Sequence, residues 1–149
     1  GPEKVGDITV ISSKLNGVII PKKYIASAID EFPILFIAAA NATGETVLRN
    51  AEELKYKESN RLSVMSKALL KCKIKNNLYD DGIKIHGGEI FGAIIDSSGD
   101  HRIAMSFAIA GLVAKNPITI LNTENVSTSF PEFFDLIKSM GLNIERGNT

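Results

Sequence analysis

The chain has 149 residues, with 17 basic and 17 acidic side chains and a formal net charge of zero. This length suits one domain with a sizeable core, and the charge balance argues against a general nucleic-acid binder. The single cysteine, Cys72, excludes an internal disulfide and a cysteine-based metal cluster, and two histidines leave little for zinc. The sequence has no apolar run of the roughly 18 residues that a membrane-spanning helix needs. We therefore expect a soluble, globular protein compatible with a reducing compartment, with no membrane or nucleic-acid partner and no bound metal.

The first half of the chain alternates between short apolar runs and longer helical patterns. Asp80, Asp81 and Gly82 lie between two of these runs and are typical of a tight hairpin turn. In chain order, we predict a strand at 7–12, a short apolar run at 17–21, a helix from Ile25 or Asp30 to Ala42, a strand at 46–48, an amphipathic helix at 57–71, and hairpin strands at 74–79 and 83–85.

The second half begins with a loop-flanked apolar helix and ends in a strand. Pro131 is tolerated in the first turn of a helix, and Gly141 is placed just past the end of one. In chain order, we predict a strand at 89–96, a loop at 97–100, an apolar helix at 103–114, a strand at 118–121, a helix at 129–139 and a strand at 143–145.

The same order of elements occurs twice along the chain. Asp30 and Asp100 each precede an apolar helix, about 70 positions apart, and similar strands and helices follow in both places. Because the helix at 103–114 is apolar on all sides, we expect it to be buried on most of them. The pattern predicts an α/β fold of repeated βαβαββ-type units, with sheets outside and apolar helices inside. The two units are predicted to span about 5–86 and 87–147.

Charged clusters lie at the predicted starts of several helices. Lys57, Arg61 and Arg102 oppose the positive end of a helix dipole unless an anion or a carboxylate neutralises them. One interpretation is a solvated helix surface with internal ion pairs, such as Glu58 with Arg61. The other is a site for a phosphate or carboxylate, which the planar fork of an arginine binds well.

The remaining polar groups of these clusters also admit two interpretations. The carboxylates of Asp30 and Asp100 are suited to chemistry, but aspartates at these positions also serve as simple helix caps. His101 either donates to the same anion as Arg102 or is a structural hydrogen-bonding histidine. His86 is expected to be a surface residue at a strand end, and Cys72 a small packing residue.

Four motifs in these clusters resemble those of one enzyme family. The sequence KESNRL at 57–62 resembles the KESDRL motif of the 5-enolpyruvylshikimate-3-phosphate synthases, and DHRIAM at 100–105 resembles their DHRIAM motif. IDEFP at 29–33 and TSFP at 128–131 also match, in the right order. The resemblance covers nearly the whole chain. Asn60 is a departure, since the family usually has Asp there, and Thr128 replaces a Lys that some members have.

The resemblance implies a fold and a domain organisation. Enzymes of this family have two domains, each built from three βαβαββ-type units that form an inside-out barrel. The chain is similar to the last two units and is therefore expected to be a partial C-terminal domain spanning 1–149. Its expected partner is the N-terminal domain of the same enzyme, and the isolated chain is expected to be inactive.

The resemblance also implies a reaction without a cofactor or metal. The family transfers the enolpyruvyl group of phosphoenolpyruvate to the 5-hydroxyl of shikimate 3-phosphate and releases phosphate. The implied site residues are Asp30, which contacts the shikimate hydroxyls and accepts a proton; Lys57, on the shikimate 3-phosphate side; Glu58, which moves protons at the enol carbon; and Arg61, Arg102 and His101, which hold phosphoenolpyruvate.

Two other functions are compatible with this fold. The first is that of a UDP-N-acetylglucosamine 1-carboxyvinyltransferase, which shares the fold but whose typical sequence is not found after Asp100. The second is a non-catalytic structural module that has lost the chemistry. The presence of all the charged motif residues favours an enzyme over the second alternative.

Overall fold

The computed structural model describes residues 5–145 and 147 and confirms the predicted α/β class. Short 3₁₀ turns occupy Lys22–Tyr24, Ala26–Glu31 and Glu52–Tyr56. The helices and strands, in chain order, are α1 Phe32–Ala40, β1 Glu45–Leu48, α2 Arg61–Lys71, β2 Asn76–Tyr79, β3 Gly82–His86, β4 Ile94–Asp96, α3 His101–Ala110, β5 Thr119–Leu121, α4 Glu124–Ser129 and α5 Phe133–Ser139. Within the described ranges, none of the helices has the length and apolar character needed to cross a membrane.

The strands form two small sheets of different type. The first sheet is antiparallel in the order β1-β3-β2, and the predicted hairpin joins β2 to β3 with Tyr79 paired to Gly82 across the turn. The second sheet pairs β4 and β5 in parallel, with Ile95 opposite Ile120. Because a parallel pair needs a crossover, α3 connects β4 to β5.

The first half of the chain contains a similar parallel arrangement. The segment 16–20 runs alongside β1, where Ile20 N–H donates to the Val47 carbonyl at 2.9 Å, and α1 lies between the two in sequence. Gly17 and Gly92 occupy matching close approaches, since a Cβ at either would lie 2.2 Å from a carbonyl oxygen of the neighbouring segment. The likeness agrees with a repeat, while the boundaries 5–86 and 87–147 stay a prediction.

Helices α1, α2 and α3 occupy the interior. Phe32 and Phe36 of α1 are buried with ring centroids 5.8 Å apart, and Phe107 of α3 belongs to the same cluster. Burial of each such side chain contributes about 1.5–3 kcal/mol. A second cluster joins the other side of α3 to α4 and α5 through Ala104 and Phe133, among others. Helix α3 is therefore enclosed on two sides, as its apolar composition predicts.

Cys72 is fully buried in the main cluster at the end of α2. Its carbonyl accepts a hydrogen bond from Phe91 N–H at 3.0 Å, which ties the end of α2 to the segment that leads into β4. Burial raises the pKa of the thiol above its ordinary value because the thiolate loses its solvation. The residue is thus a packing side chain, as expected.

Several predicted boundaries are wrong for identifiable reasons. The segments 7–12 and 143–145 form no strand, because no described segment pairs with them, and Ile8, Val10 and Ile11 are exposed. The helix predicted at 129–139 is interrupted: proline disfavours helical geometry at the preceding residue, and Phe130 leaves the helix with φ −145° and ψ 83°. Pro131 therefore separates α4 from α5. The strand predicted at 89–96 is reduced to β4.

Asp81 provides a test of acid sensitivity. Its carboxylate accepts hydrogen bonds from Asn50 N–H at 2.9 Å and Arg49 Nε at 2.7 Å, and both hold its pKa below the ordinary value. A lowered native pKa means that this stabilisation is present above the unfolded pKa of about 3.9 and is lost as the pH falls through the native pKa. We expect Asp81→Asn to lower the free energy of unfolding at pH 7 and to differ progressively less from the wild type in acid. Urea denaturation at a series of pH values measures the free energy of unfolding of the variant and the wild type, and so tests both expectations.

The matched control is Asp80→Asn. The side chain of Asp80 is fully exposed, and its one ion pair within the described part of the chain is with Lys55, at 3.5 Å. This change should have little effect at any pH. Equal effects of the two substitutions would show that the Asp81 contacts do not stabilise the fold.

Candidate active site

The structure brings the six predicted site residues to the beginnings of α1, α2 and α3. Asp30 lies in the 3₁₀ turn that leads into α1. Lys57 and Glu58 lie in the turn before α2, and Arg61 is the first residue of that helix. The remaining two, His101 and Arg102, open α3.

Helix α2 begins four residues later than predicted. The side chain of Asn60 accepts a hydrogen bond from Ser63 N–H at 3.0 Å and so caps the helix, which fixes Arg61 as its first residue. Lys57 has an extended backbone and lies outside the helix. The prediction of a helix over 57–71, which would place Lys57 and Arg61 on one helix face, is therefore wrong at its start. They instead converge on one oxygen of Asp30, at 3.2 and 2.8 Å.

Arg61 is the centre of the cluster, and it is almost completely buried, with 1% of its side chain exposed. Its Nε donates to Asp100 Oδ2 at 2.8 Å, Nη1 to Asp30 at 2.8 Å and Nη2 to Glu58 at 2.5 Å. Burial alone would lower the pKa of the guanidinium, but the hydrogen bond to Asp100 and the surrounding carboxylates raise it. The predicted pair of Glu58 with Arg61 is confirmed. All three nitrogens of the guanidinium donate to protein carboxylates.

Asp30 connects all three cationic side chains. Besides the two contacts to its carboxylate, its backbone carbonyl accepts a hydrogen bond from Arg102 Nη1 at 2.9 Å. Burial acts to raise the pKa of Asp30, but the hydrogen bonds from Lys57 and Arg61 outweigh it and hold the pKa below the ordinary value. The pKa of Lys57 is raised, chiefly by its hydrogen bond to Glu53. At neutral pH the pair is therefore a carboxylate and an ammonium.

The start of α3 presents donors that remain available. Arg102 is one-third exposed and uses Nη1 for Glu31, at 2.7 Å, and for the Asp30 carbonyl. His101 is half-buried, and its ring makes no hydrogen bond or ion pair with any residue in the described part of the chain. A helix start with free N–H donors favours an anion.

Only one of the two aspartates is a helix cap. Asp100 accepts a hydrogen bond from Arg102 N–H at 3.0 Å and has the extended backbone of an N-cap. Asp30 makes no such bond: the residue before α1 is Glu31, whose side chain does not cap the helix either. The capping interpretation is thus correct for Asp100 and wrong for Asp30.

The sequence gives no reason to expect Glu31 or Glu53 near the site, and it leaves Asp100 open between chemistry and capping, although all three contact predicted site residues. Glu53 and Lys57 are four residues apart, and this spacing could have predicted their ion pair, at 2.7 Å. No local pattern predicts the pair of Arg102 with Glu31, which are far apart in sequence.

The charges of the cluster do not balance. Among the residues that the structure describes, three cationic side chains contact five carboxylates, those of Asp30, Glu31, Glu53, Glu58 and Asp100. An incoming anion meets a net negative environment unless a carboxylate moves away or further cations approach. Among the described residues, no group of three or more histidine, cysteine or acidic side chains is arranged to hold a metal ion.

A separate cleft of about 660 Å³ lies on another face of the start of α2. None of the six predicted residues lines it. Its charged groups are already paired, Arg49 with Asp81 and Lys55 with Asp80. We therefore place the candidate site at the Arg61 cluster, where donors of α3 remain available, and not in this cleft.

Comparison with solved structures identifies the fold as that of an enolpyruvyl transferase. Two structures of EPSP synthase from Acinetobacter baumannii superpose on the chain with TM-scores of 0.88 and 0.85, at 48% and 45% identity. Each match covers 91% of this chain and 32% of the solved one. A family model described as EPSP synthase (3-phosphoshikimate 1-carboxyvinyltransferase) matches residues 3–137. The chain belongs to this family.

Curated relatives have the name that the description of the family model gives. The chain is 51% identical over 145 residues to a 3-phosphoshikimate 1-carboxyvinyltransferase from Methylococcus capsulatus, covering 97% of this chain and 33% of the relative. It is 52% identical over 147 residues to one from Nitrosococcus oceani, covering 99% and 33%. The chain thus spans about a third of the length of the curated relatives it matches.

Proposed function

We propose that this chain is part of a cytoplasmic enzyme that transfers the enolpyruvyl group of phosphoenolpyruvate to the 5-hydroxyl of shikimate 3-phosphate. The observation that carries the proposal is the convergence of the KESNRL and DHRIAM motifs on Asp30, in a chain that belongs to the EPSP synthase family. No metal or organic cofactor takes part. The partner is the N-terminal domain of the same enzyme.

The reaction requires two proton movements in opposite directions. In the addition step, the hydroxyl oxygen bonds to C2 of phosphoenolpyruvate, the hydroxyl loses its proton and the methylene carbon gains one. In the elimination step, the bond from C2 to the phosphate oxygen breaks, phosphate leaves and the methyl carbon returns a proton. Two carboxylates in different environments suit these tasks. We assign the hydroxyl proton to Asp30 and the carbon proton to Glu58.

The lowered pKa of Asp30 affects its assigned role. While Lys57 and Arg61 both donate to it, Asp30 is a weak base. Arrival of shikimate 3-phosphate would draw the Lys57 ammonium toward the substrate phosphate and so restore basicity to Asp30. Lys57 is suited to this movement because its side chain is flexible and remains partly exposed.

Arg102 and His101 are the first groups to meet phosphoenolpyruvate in this proposal, because they still have free donors. Arg61 reaches the ligand only by exchange, since its outer nitrogens already hold carboxylates of Asp30 and Glu58. The carboxylate of phosphoenolpyruvate then replaces a protein carboxylate on the same guanidinium. This exchange frees Glu58 for proton transfer when substrate is present.

The excess of carboxylates supports the need for a second domain. A substrate pair with two phosphates and two carboxylates requires more cations than the cluster offers. The missing positive charge and the exclusion of water are assigned to the N-terminal domain, which closes over the site. We expect the isolated chain to have no turnover.

Phosphate release tests the function directly. The full-length protein should release phosphate when both phosphoenolpyruvate and shikimate 3-phosphate are present, and the 149-residue chain should not exceed background. Phosphoenolpyruvate without acceptor is the control. Turnover with UDP-N-acetylglucosamine in place of shikimate 3-phosphate would assign the protein to the aminosugar transferases. A folded full-length protein without turnover on either acceptor would support the non-catalytic alternative.

A further inference from the structure

Asp100 is a fully buried carboxylate, with 0% of its side chain exposed. Oδ2 accepts from Arg61 Nε at 2.8 Å and from Ser59 Oγ at 3.0 Å. Oδ1 accepts from Arg102 N–H at 3.0 Å and from Arg61 Nη2 at 3.5 Å. One side chain thus joins the turn before α2, the first residue of α2 and the start of α3.

The carboxylates on the two sides of the Arg61 guanidinium differ in how firmly they are held. The Nε side faces Asp100, which is buried. If Asp100 turned away, a charge would be left buried without a partner, which is costly. The outer nitrogens face Asp30 and Glu58, whose side chains are 45% and 50% exposed and can rotate into solvent. The contact with Asp100 is fixed, whereas the other two carboxylates are exchangeable.

We propose that Asp100 is a positioning residue that fixes the Arg61 guanidinium so that its outer nitrogens face the ligand. The inference rests on the proposed function for the identity of the ligand, the carboxylate of phosphoenolpyruvate. Because Asp100 also caps α3, it holds Arg61 and Arg102 in a fixed relation to each other. Two arginines from different helices then approach one anion without a search through side-chain rotamers.

Two simpler roles make different predictions. If Asp100 only caps α3, Asp100→Asn is neutral, because asparagine is an equally good N-cap of the same shape. If Asp100 acts only as a negative charge near an anion site, the same change strengthens anion binding by removing repulsion. If Asp100 positions Arg61, the change weakens binding, because the guanidinium loses its charge-assisted anchor.

Calorimetry on the full-length protein separates these roles. With shikimate 3-phosphate saturating, we expect Asp100→Asn to weaken phosphoenolpyruvate binding on the order of 10–100-fold. The matched control is Glu124→Gln, an exposed carboxylate in the first turn of α4 with no contact to Arg61. It makes the same change of charge near a helix start and should leave affinity unchanged. Unchanged or tighter binding in Asp100→Asn would overturn the proposal.

A second measurement does not depend on any ligand. In nitrogen–proton NMR spectra of the 149-residue chain, the Nε–H of Arg61 should be protected from solvent exchange. Asp100→Asn should reduce that protection, because the single acceptor oxygen of asparagine cannot face both Arg102 N–H and Arg61 Nε. Ser59→Ala, which keeps the ion pair, should retain it. If Asp100→Asn unfolds the chain, Ser59→Ala still tests the idea, because loss of Nε–H protection there would contradict it.

The two measurements distinguish failure of the inference from failure of the proposed function. If the wild-type full-length protein does not bind phosphoenolpyruvate, the proposed function is wrong, and the NMR result alone judges whether Asp100 positions Arg61. Retained Nε–H protection in a folded Asp100→Asn chain overturns the positioning role in either case. If Asp100→Asn loses both the Nε–H protection of Arg61 and the affinity for phosphoenolpyruvate, the positioning role and the proposed function are both supported.

Discussion

Replacing Glu58 by Gln in the full-length protein is expected to lower turnover by roughly 10²–10⁴-fold while KM changes little. Glutamine keeps the shape of the side chain and can still accept the hydrogen bond from Arg61 Nη2, but it cannot carry a proton. Since half of the Glu58 side chain is exposed, the loss of its ion pair should lower stability by less than about 1 kcal/mol. Steady-state kinetics and urea denaturation measure the two effects separately.

Glu53→Gln is the matched control for this substitution. Glu53 is also an exposed glutamate paired with a site cation, Lys57 at 2.7 Å, but no proton transfer is assigned to it. If both variants lose turnover equally, charge balance and not proton transfer explains the effect. If Glu58→Gln keeps near-normal turnover and only unfolds more easily, Glu58 is a structural pair member. Asp30→Asn should resemble Glu58→Gln, with added loss of shikimate 3-phosphate affinity.

Arg61→Ala is expected to lower the free energy of unfolding by about 3–5 kcal/mol, because it leaves Asp100 buried without its counter-charge. Arg102→Ala, at a partly exposed pair with Glu31, should lower stability by less than about 1 kcal/mol. In the full-length protein, Arg102→Ala should nevertheless weaken phosphoenolpyruvate binding on the order of 10–100-fold. Denaturation curves of the chain and calorimetry of the full-length protein give these values.

A double substitution tests the cause of the destabilisation. If the unpaired charge of Asp100 is responsible, Arg61→Ala combined with Asp100→Asn should be more stable than Arg61→Ala alone. If the double variant is no more stable, lost packing of the arginine side chain explains the effect. Arg102→Lys should also weaken phosphoenolpyruvate binding, since lysine cannot form the bidentate fork of an arginine.

The sequence predicts the interior of this fold better than its ends. The apolar helices and the hairpin at Asp80 and Asp81 follow from periodicity and turn chemistry, which act locally. The strand expected at 7–12 fails because a strand needs a partner, and none of the described segments supplies one. The helix expected at 129–139 fails at Pro131, whose effect on the preceding residue outweighs the helical pattern.

For the site, the motifs predict which residues meet but not how they pair. Periodicity gives no information on the contacts of Arg61 with Asp30 and Asp100, since these residues are 31 and 39 positions away. The burial of Arg61 was also unpredictable, because it depends on three separate helix starts packing together. The sequence predicts that Arg61 contacts a ligand, but in the structure its guanidinium is already bound by carboxylates.

Cys72 gives the chain an intrinsic reporter of unfolding. It is the only cysteine in the sequence, it is fully buried, and burial raises the pKa of its thiol. A thiol reagent therefore reacts only when the chain opens locally around the end of α2. The labelling rate reports the population of that opened state in native buffer, without a denaturant. The substitutions in the Arg61 cluster can thus be ranked by the labelling rate of Cys72, a core residue outside the cluster.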